Sequence, residues 1–221
     1  MNALILIGSP KGRNSSSFLL GSRLGEGLRR NGVTVREEFV HPGMRTGEGT
    51  ARLLDAIDGA DLLVLAFPLY IDSLPAPLTR LIELVAARRA ASSTGGSPRL
   101  AAVVQCGFPE AHQCDTAVGI CRLFAARTGM RWAGALAMGM GGQLGRGFRK
   151  LPGGGRKLVE AIERSAESLA RGGNVPGEAT AAFARPLVPR WLYNLFGNLG
   201  WRVQMRQNRT RTPIAHRPYR Q

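Results

Sequence analysis

GSPKGRNSSS, residues 8–17, is the stretch from which the rest of the chain can be read. Ahead of it, residues 3–7 form an unbroken aliphatic run stopped by turn residues. Such a run predicts a strand buried on both faces. Behind it, Leu20, Leu24 and Leu28 recur at helical spacing until Asn31-Gly32 closes the helix. A loop between a strand end and a helix start faces unpaired N–H groups and the positive end of the helix dipole. Ser and Asn side chains add donors, and Lys11 and Arg13 add charge. These are the parts of a phosphate cradle. The same Ser and Asn residues also cap helices in ordinary polar loops, so the loop alone leaves both readings open. It carries neither the glycine-lysine loop of nucleoside triphosphate sites nor the GxGxxG of dinucleotide sites.

The pattern repeats outward from this loop. Val33, Val35 and Phe39 alternate with polar residues, which predicts a strand with one exposed face, at a sheet edge. A short helix is expected over 51–58. Continuous apolar strands are expected at 62–67 and 100–106, and a fifth strand at 132–138. Leu78, Leu81, Ile82 and Val85 form one helical stripe, and Ala117, Ile120, Cys121 and Phe124 another. Residues 91–98 read as a small-residue linker, and 139–155 as a glycine-rich loop leading into a helix with Leu158, Ile162 and Leu169 inward. Strands alternating with amphipathic helices imply an α/β, doubly wound parallel sheet with helices on both faces. The order 2-1-3-4-5 fits, with its crevice beside the first and third strand ends. These units occupy residues 1–172. Residues 173–221 hold eight Arg against one Glu, with Trp191, Tyr193, Phe196 and Trp201, and read as a basic C-terminal extension. Val188, Trp191, Leu192, Leu195 and Leu199 predict a short amphipathic helix within it.

Composition bounds the function. With 44% hydrophobic and 20% charged residues, the chain can bury a core and is not globally disordered. The longest apolar run, residues 62–67, is far short of the roughly 18 residues of a membrane span. No basic-then-apolar leader stands at the N-terminus, so a cytoplasmic location is expected. Cys106, Cys114 and Cys121 include no CxxC pair, so no metal or iron–sulfur site is expected. The net charge is +15, a balance compatible with nucleic acid, an anionic membrane or an acidic substrate. A receiver-like signalling domain on the same fold would need an acidic cluster where Gly8-Ser9 stands, and is excluded.

Two further loops share the rim with the first. FPLYIDSLPAP, residues 67–77, is stiffened by three prolines and offers Tyr70 as an aromatic face; GFPEAHQ, residues 107–113, offers Phe108, Glu110 and His112. A rigid loop at the switch-point crevice can hold a flat ring; a surface connector is the alternative for both. Taken together, GSPKGRNSSS, FPLYIDSLPAPLTRLIE and GFPEAHQ resemble the flavodoxin-like NAD(P)H-dependent FMN reductase family over residues 1–172. GNLGW at 197–201 and RPY at 217–219 resemble an extension found in part of that family.

The resemblance implies an FMN-dependent oxidoreductase. Hydride would pass from NAD(P)H through FMN to a quinone, a nitro or azo compound, or a flavin acceptor. It implies that Ser9, Lys11, Asn14, Ser15, Ser16 and Ser17 hold the FMN phosphate. Pro68, Leu69, Tyr70, Ile71 and Asp72 would border the isoalloxazine, with Gly107 and Phe108 beside them. No catalytic side chain is required, because the flavin carries the chemistry. A homodimer is also implied. The alternative is a non-catalytic binding module that uses its basic aromatic tail on nucleic acid or an anionic membrane.

Overall fold

The structure, a computed structural model, describes residues 1–91, 96–148, 154–209 and 216. Five strands, β1 (Asn2–Ile7), β2 (Thr34–Phe39), β3 (Leu62–Pro68), β4 (Arg99–Gln105) and β5 (Arg131–Met138), form one sheet in the order β2-β1-β3-β4-β5. Every neighbouring pair is parallel. The expected doubly wound order is therefore the observed one, and β2 is an edge strand. The helices are α1 (Ser16–Arg30), α2 (Val40–Gly43), α3 (Gly47–Asp58), α4 (Ala76–Ala91), α5 (Asp115–Arg127), α6 (Gly154–Ala170), α7 (Gly177–Phe183) and α8 (Arg190–Gln207). The four-residue α2 and the start of α3 extend what the sequence pattern predicted there. Part of the 91–98 linker, part of the 139–155 loop and the RPY segment lie outside the described residues.

Strand alternation splits the core in two. Leu4 and Leu6, Leu63, Leu65 and Phe67, and Leu100, Ala102 and Val104 face α3, α4 and α5. Ile5 and Ile7, Val64 and Ala66, and Ala101 and Val103 face α1, α6 and α7. Both faces are covered, which is why these strands read as continuous apolar runs. On the second face α1 approaches α6 closely. A Cβ at Gly27 would lie 2.7 Å from the Ala166 Cβ, so glycine is needed there. Arg23 and Arg30 both reach Glu163 across the same pair of helices.

The compact unit runs from Met1 to Leu187, and Val188–Gln221 forms a second. The first unit thus continues past residue 172, where the sequence pattern breaks. The reason lies on β5. Val175 N–H donates to Ala133 O at 2.7 Å, and Thr180 Oγ1 to Ala135 O at 3.2 Å. Gly134, at φ +104, leaves room for Val175, which would sit 2.9 Å from a Cβ there. Ala179 and Phe183 are buried in the second core. Arg99, 5% exposed, locks the opposite end of the sheet. Its guanidinium donates to Leu169 O and Gly173 O at 2.7 and 2.8 Å, satisfying carbonyls at the α6 terminus. Burial lowers its pKa, with Arg131 adding to the effect.

In the second unit, α8 is the helix the tail pattern predicted, longer than expected, and none of its residues is buried.

Candidate cofactor site

Parallel register brings five loops to one edge of the sheet. Ile7 lies beside both Phe39 and Ala66, Pro68 beside Gln105, and Gln105 beside Met138. The segments that follow all five strands therefore leave from the same carboxyl edge, and the switch point falls between β1 and β3.

The three consecutive serines of the first loop take three different roles. Ser15 is the N-cap of α1: its Oγ accepts from Phe18 N–H at 3.0 Å and donates to Gly12 O at 2.6 Å. The capping reading is thus correct for Ser15, whose hydroxyl proton is committed. Ser16 Oγ donates to Gly141 O at 2.7 Å, which ties this loop to the one after β5. Ser17 is fully buried, and its Oγ has no hydrogen-bond partner among the described residues. The N–H groups of Ser16 and Ser17 belong to the first turn of α1, where no intrahelical acceptor exists. Ahead of them the chain makes a 3-10 turn at Gly12–Asn14. It is entered through Gly12 at φ +54, a conformation that costs a side chain energy and glycine none. Ser9 is buried, and its Oγ accepts from Lys11 N–H at 3.4 Å. Lys11 and Asn14 are exposed on the turn.

Beside this turn lies an open cleft of about 340 Å³, walled by Lys11, Arg13, Phe39, His41 and Arg45. Phe18 and Phe39 stack with centroids 5.6 Å apart, and the Arg13 guanidinium sits 5.4 Å from each ring centre. Cation–π contact with both rings fixes the position of that charge. Among the described residues no carboxylate pairs with Lys11, Arg13 or Arg45. Their positive charge is uncompensated among the described residues, and it lines the cleft beside the loop that leads into α1. Sequence reading gave Arg13 a charge but no place, and missed His41 and Arg45. The signal was available, because a loop that follows a parallel edge strand must leave from this same edge.

After β3, Leu69 N–H donates to Gln105 O at 2.8 Å, continuing the ladder. Tyr70 and Ser73 then exchange two backbone hydrogen bonds, at 3.0 and 3.1 Å. Between them Ile71 and Asp72 have φ of +49 and +56, a type I′ turn. A β-branched residue is a true outlier in that region, yet Ile71 occupies it and is 98% exposed. Pro68 is buried, Leu69 partly so, and Tyr70 is exposed. Proline rigidity and a two-bond turn thus hold an aromatic and an aliphatic side chain out into solvent.

The loop after β4 is pinned from below. Cys106 N–H donates to Met138 O, Met140 N–H to Phe108 O and Gly141 N–H to Cys106 O, at 3.0, 2.7 and 2.8 Å. Gly139 passes so near that a Cβ would lie 2.4 Å from Pro109 O. Gly107 and Phe108 are exposed on top. A 3-10 turn at Ala111–Cys114 occupies part of what the sequence reads as open loop. Cys114 shares a hydrogen bond with Cys106 beneath it. That bond, and then burial, raises the Cys114 thiol, while the same bond lowers Cys106. The structure therefore brings the first-loop, third-strand and fourth-strand residues to one rim. It adds the loops after β2 and β5, which the sequence did not place there.

A family model described as a flavodoxin-like fold matches residues 1–112, just over half of the 221 residues. The chain belongs to that flavodoxin-like family. No curated protein matches it in sequence. Among solved structures, an FMN-dependent NADH-azoreductase from Bacillus anthracis str. Ames Ancestor, in complex with FMN, superposes with a TM-score of 0.58. It is 14% identical, over 76% of this chain and 99% of that one. An azoreductase from Bacillus anthracis str. Sterne gives 0.52 at 16% identity, over 78% and 99% of the two chains. The Trp repressor binding protein from Bacillus subtilis gives 0.53 at 11%, over 73% and 96%. At such identities the likeness is one of fold.

Proposed function

We propose that this protein is an FMN-dependent oxidoreductase that takes hydride from NADH or NADPH and delivers electrons to a quinone, a nitro or azo compound, or a free flavin. The observation that carries this reading is Ser17. A buried hydroxyl without a partner is costly in a folded protein. Here it sits in the first turn of α1, whose N–H groups have no intrahelical acceptor, and the loop ahead of it borders a cleft walled by Lys11, Arg13 and Arg45, which pair with no carboxylate among the described residues. A phosphate monoester satisfies all of them together. The residues fit the group: Ser17 Oγ and the Ser16 and Ser17 N–H groups donate to the phosphate, and Lys11, Arg13 and Arg45 balance its charge. Ser16 contributes through its backbone N–H, and Ser15 and Ser16 through the loop shape that their side chains hold; the Ser15 N–H is committed to Gly12 O. Pro68–Asp72 and Gly107–Phe108 supply the rim for the ring, where rigid backbone and exposed apolar side chains orient a planar group and exclude water from its edge.

When bound, FMN supplies the hydride chemistry that no side chain at this rim offers. The fold likeness to an azoreductase solved with FMN supports the same assignment. The test is direct. Protein reconstituted with FMN should show a bound-flavin absorption spectrum, bleach under anaerobic NADH or NADPH, and recover colour on adding a quinone or azo dye. A chain that binds neither FMN nor FAD refutes the proposal.

A further inference from the structure

The second unit carries a surface that the flavin reading does not use. Helix α8 is 18 residues long, about 27 Å at 1.5 Å per residue. At 100° per residue, Trp191, Leu192, Leu195, Phe196, Leu199 and Val203 fall within one arc of about 140°. No residue of α8 is buried, and Trp191, Leu195, Phe196, Leu199, Trp201 and Val203 are all exposed. Gly197 and Gly200 weaken the helix from within. A helix with no buried face is marginal in water, and so large an apolar stripe marks a docking surface.

Charge decides what docks. Residues 188–221 contain seven Arg and no Asp or Glu, leaving +8 of the total +15 on residues 1–187. A second copy of the tail, or of the body, therefore meets it with charge of the same sign. The complementary surface is anionic. Of the anionic surfaces, a lipid bilayer also takes the aliphatic side chains. Leu192, Leu195, Leu199 and Val203 cannot stack on nucleic acid bases, but they insert at the boundary between headgroups and acyl chains. A tryptophan such as Trp191 settles at that level, whereas Trp201 lies on the opposite side of the helix from the arc. Arg202 and Arg206 lie near the C-terminal end of the arc, where their long stems reach up to phosphate headgroups. Among the described residues no helix is long and apolar enough to cross a membrane, so the helix lies on the surface. We propose that α8 docks the protein on an anionic membrane surface.

The full chain, with and without FMN, is sedimented with vesicles of phosphatidylcholine alone and with vesicles containing roughly one third phosphatidylglycerol. Binding should rise at least tenfold with the anionic lipid, fall with added salt, and shift tryptophan emission to the blue. The double variant Leu195→Asp, Leu199→Asp should lose at least tenfold in vesicle binding. Arg202→Gln and Arg206→Gln should each lose roughly fivefold. These side chains are exposed, so unchanged melting of the variants shows that the fold survives. Three results overturn the proposal. One is no vesicle binding together with concentration-dependent self-association that Leu195→Asp abolishes, which assigns the face to a second copy. Another is binding to duplex or single-stranded DNA without binding to vesicles. The third is equal binding to neutral and anionic vesicles. Since vesicle binding is read without the flavin, its failure and that of the flavin reading are separate results.

Discussion

Replacing Ser17 by alanine should move stability and cofactor affinity in opposite directions. Among the described residues the Ser17 hydroxyl is buried and has no hydrogen-bond partner. Leaving a buried hydroxyl unpaired costs about 1–3 kcal/mol. Alanine removes the orphan, leaves a void of one oxygen, and is the better residue in a helical first turn by a few tenths of a kcal/mol. The net expectation is a stabilisation of about 1–2 kcal/mol in the apo-protein, read by urea denaturation. Thermal melting should rise by about 2–4 °C per kcal/mol for a unit of this size. With FMN the sign reverses. A hydrogen bond to a charged phosphate contributes about 1.5–3 kcal/mol, so its loss weakens FMN about 10- to 150-fold. The assay is quenching of flavin fluorescence, run beside riboflavin. Riboflavin lacks the phosphate, and its affinity should not change. An apo-protein destabilised by Ser17→Ala, with FMN affinity intact, would refute the reasoning. That result would mean the hydroxyl has a partner inside the protein and plays no part in holding a phosphate.

Three other predictions rest on separate features. Ile71→Asn should stabilise the apo-protein by about 1 kcal/mol in denaturant titration, since asparagine accepts the left-handed conformation that isoleucine resists; flavin affinity should fall if the exposed Ile71 side chain borders the ring. Arg99→Met should destabilise by about 1–3 kcal/mol, because it removes two charged hydrogen bonds and strands the part-buried Gly173 carbonyl, while Leu169 O keeps only Gly172 N–H; a loss under 1 kcal/mol in urea would show that water replaces the guanidinium there. Burial pushes the Cys121 thiol from 9.0 up to about 12. Above pH 9 the unfolded chain then releases this proton while the folded chain keeps it, so stability falls as pH rises. The slope approaches about 1.4 kcal/mol per pH unit for one thiol, and Cys121→Val should flatten the decline between pH 9 and 11 relative to wild type.

The sheet was legible because both of its faces are covered. Continuous apolar runs at β1, β3 and β4 have few other readings, and the alternation at β2 marks an edge. The stretch from Val175 to Phe183 was not legible. Gly172-Gly173-Asn174 punctuates the chain, and between Val175 and Phe183 the apolar residues are all alanines, too small to declare a periodic helix. What fixes the stretch is a backbone bond to Ala133 and the space left by Gly134, which are tertiary facts. The site divides in the same way. Serines after a strand announce a loop able to hold an anion. Which serine caps, which ties the loop to Gly141 and which is left unpaired depends on the three-dimensional neighbourhood. His41 and Arg45 are readable only once the loop after the edge strand is recognised as leaving from the same carboxyl edge as the other four.

Backbone strain in this chain is placed as selectively as its charge. The non-glycine residues with left-handed backbone among the described residues are Ile71, Asp72, Met140 and Arg209. The first three lie on the loops after β3 and β5, at the edge that also holds the Ser17 hydroxyl, with no hydrogen-bond partner among the described residues, and Lys11, Arg13 and Arg45, with no carboxylate partner among them. At the opposite edge, Arg99 and the carbonyls around it are mutually satisfied. Folding energy is therefore gained in the two cores and at the amino edge, and part of it is held as strain, desolvated polarity and like charge at the carboxyl edge. Two of those costs, the buried hydroxyl and the like charge, are of a kind that an anionic ligand relieves, and on the proposed function a planar ring would cover exposed Tyr70, Ile71 and Phe108; the backbone strain instead holds the shape of the loop. A surface loop with no function has no reason to retain isoleucine at φ +49 when asparagine or glycine would serve the turn better. The coincidence of strain, orphaned polarity and charge on one rim is the physical ground for placing the cofactor there.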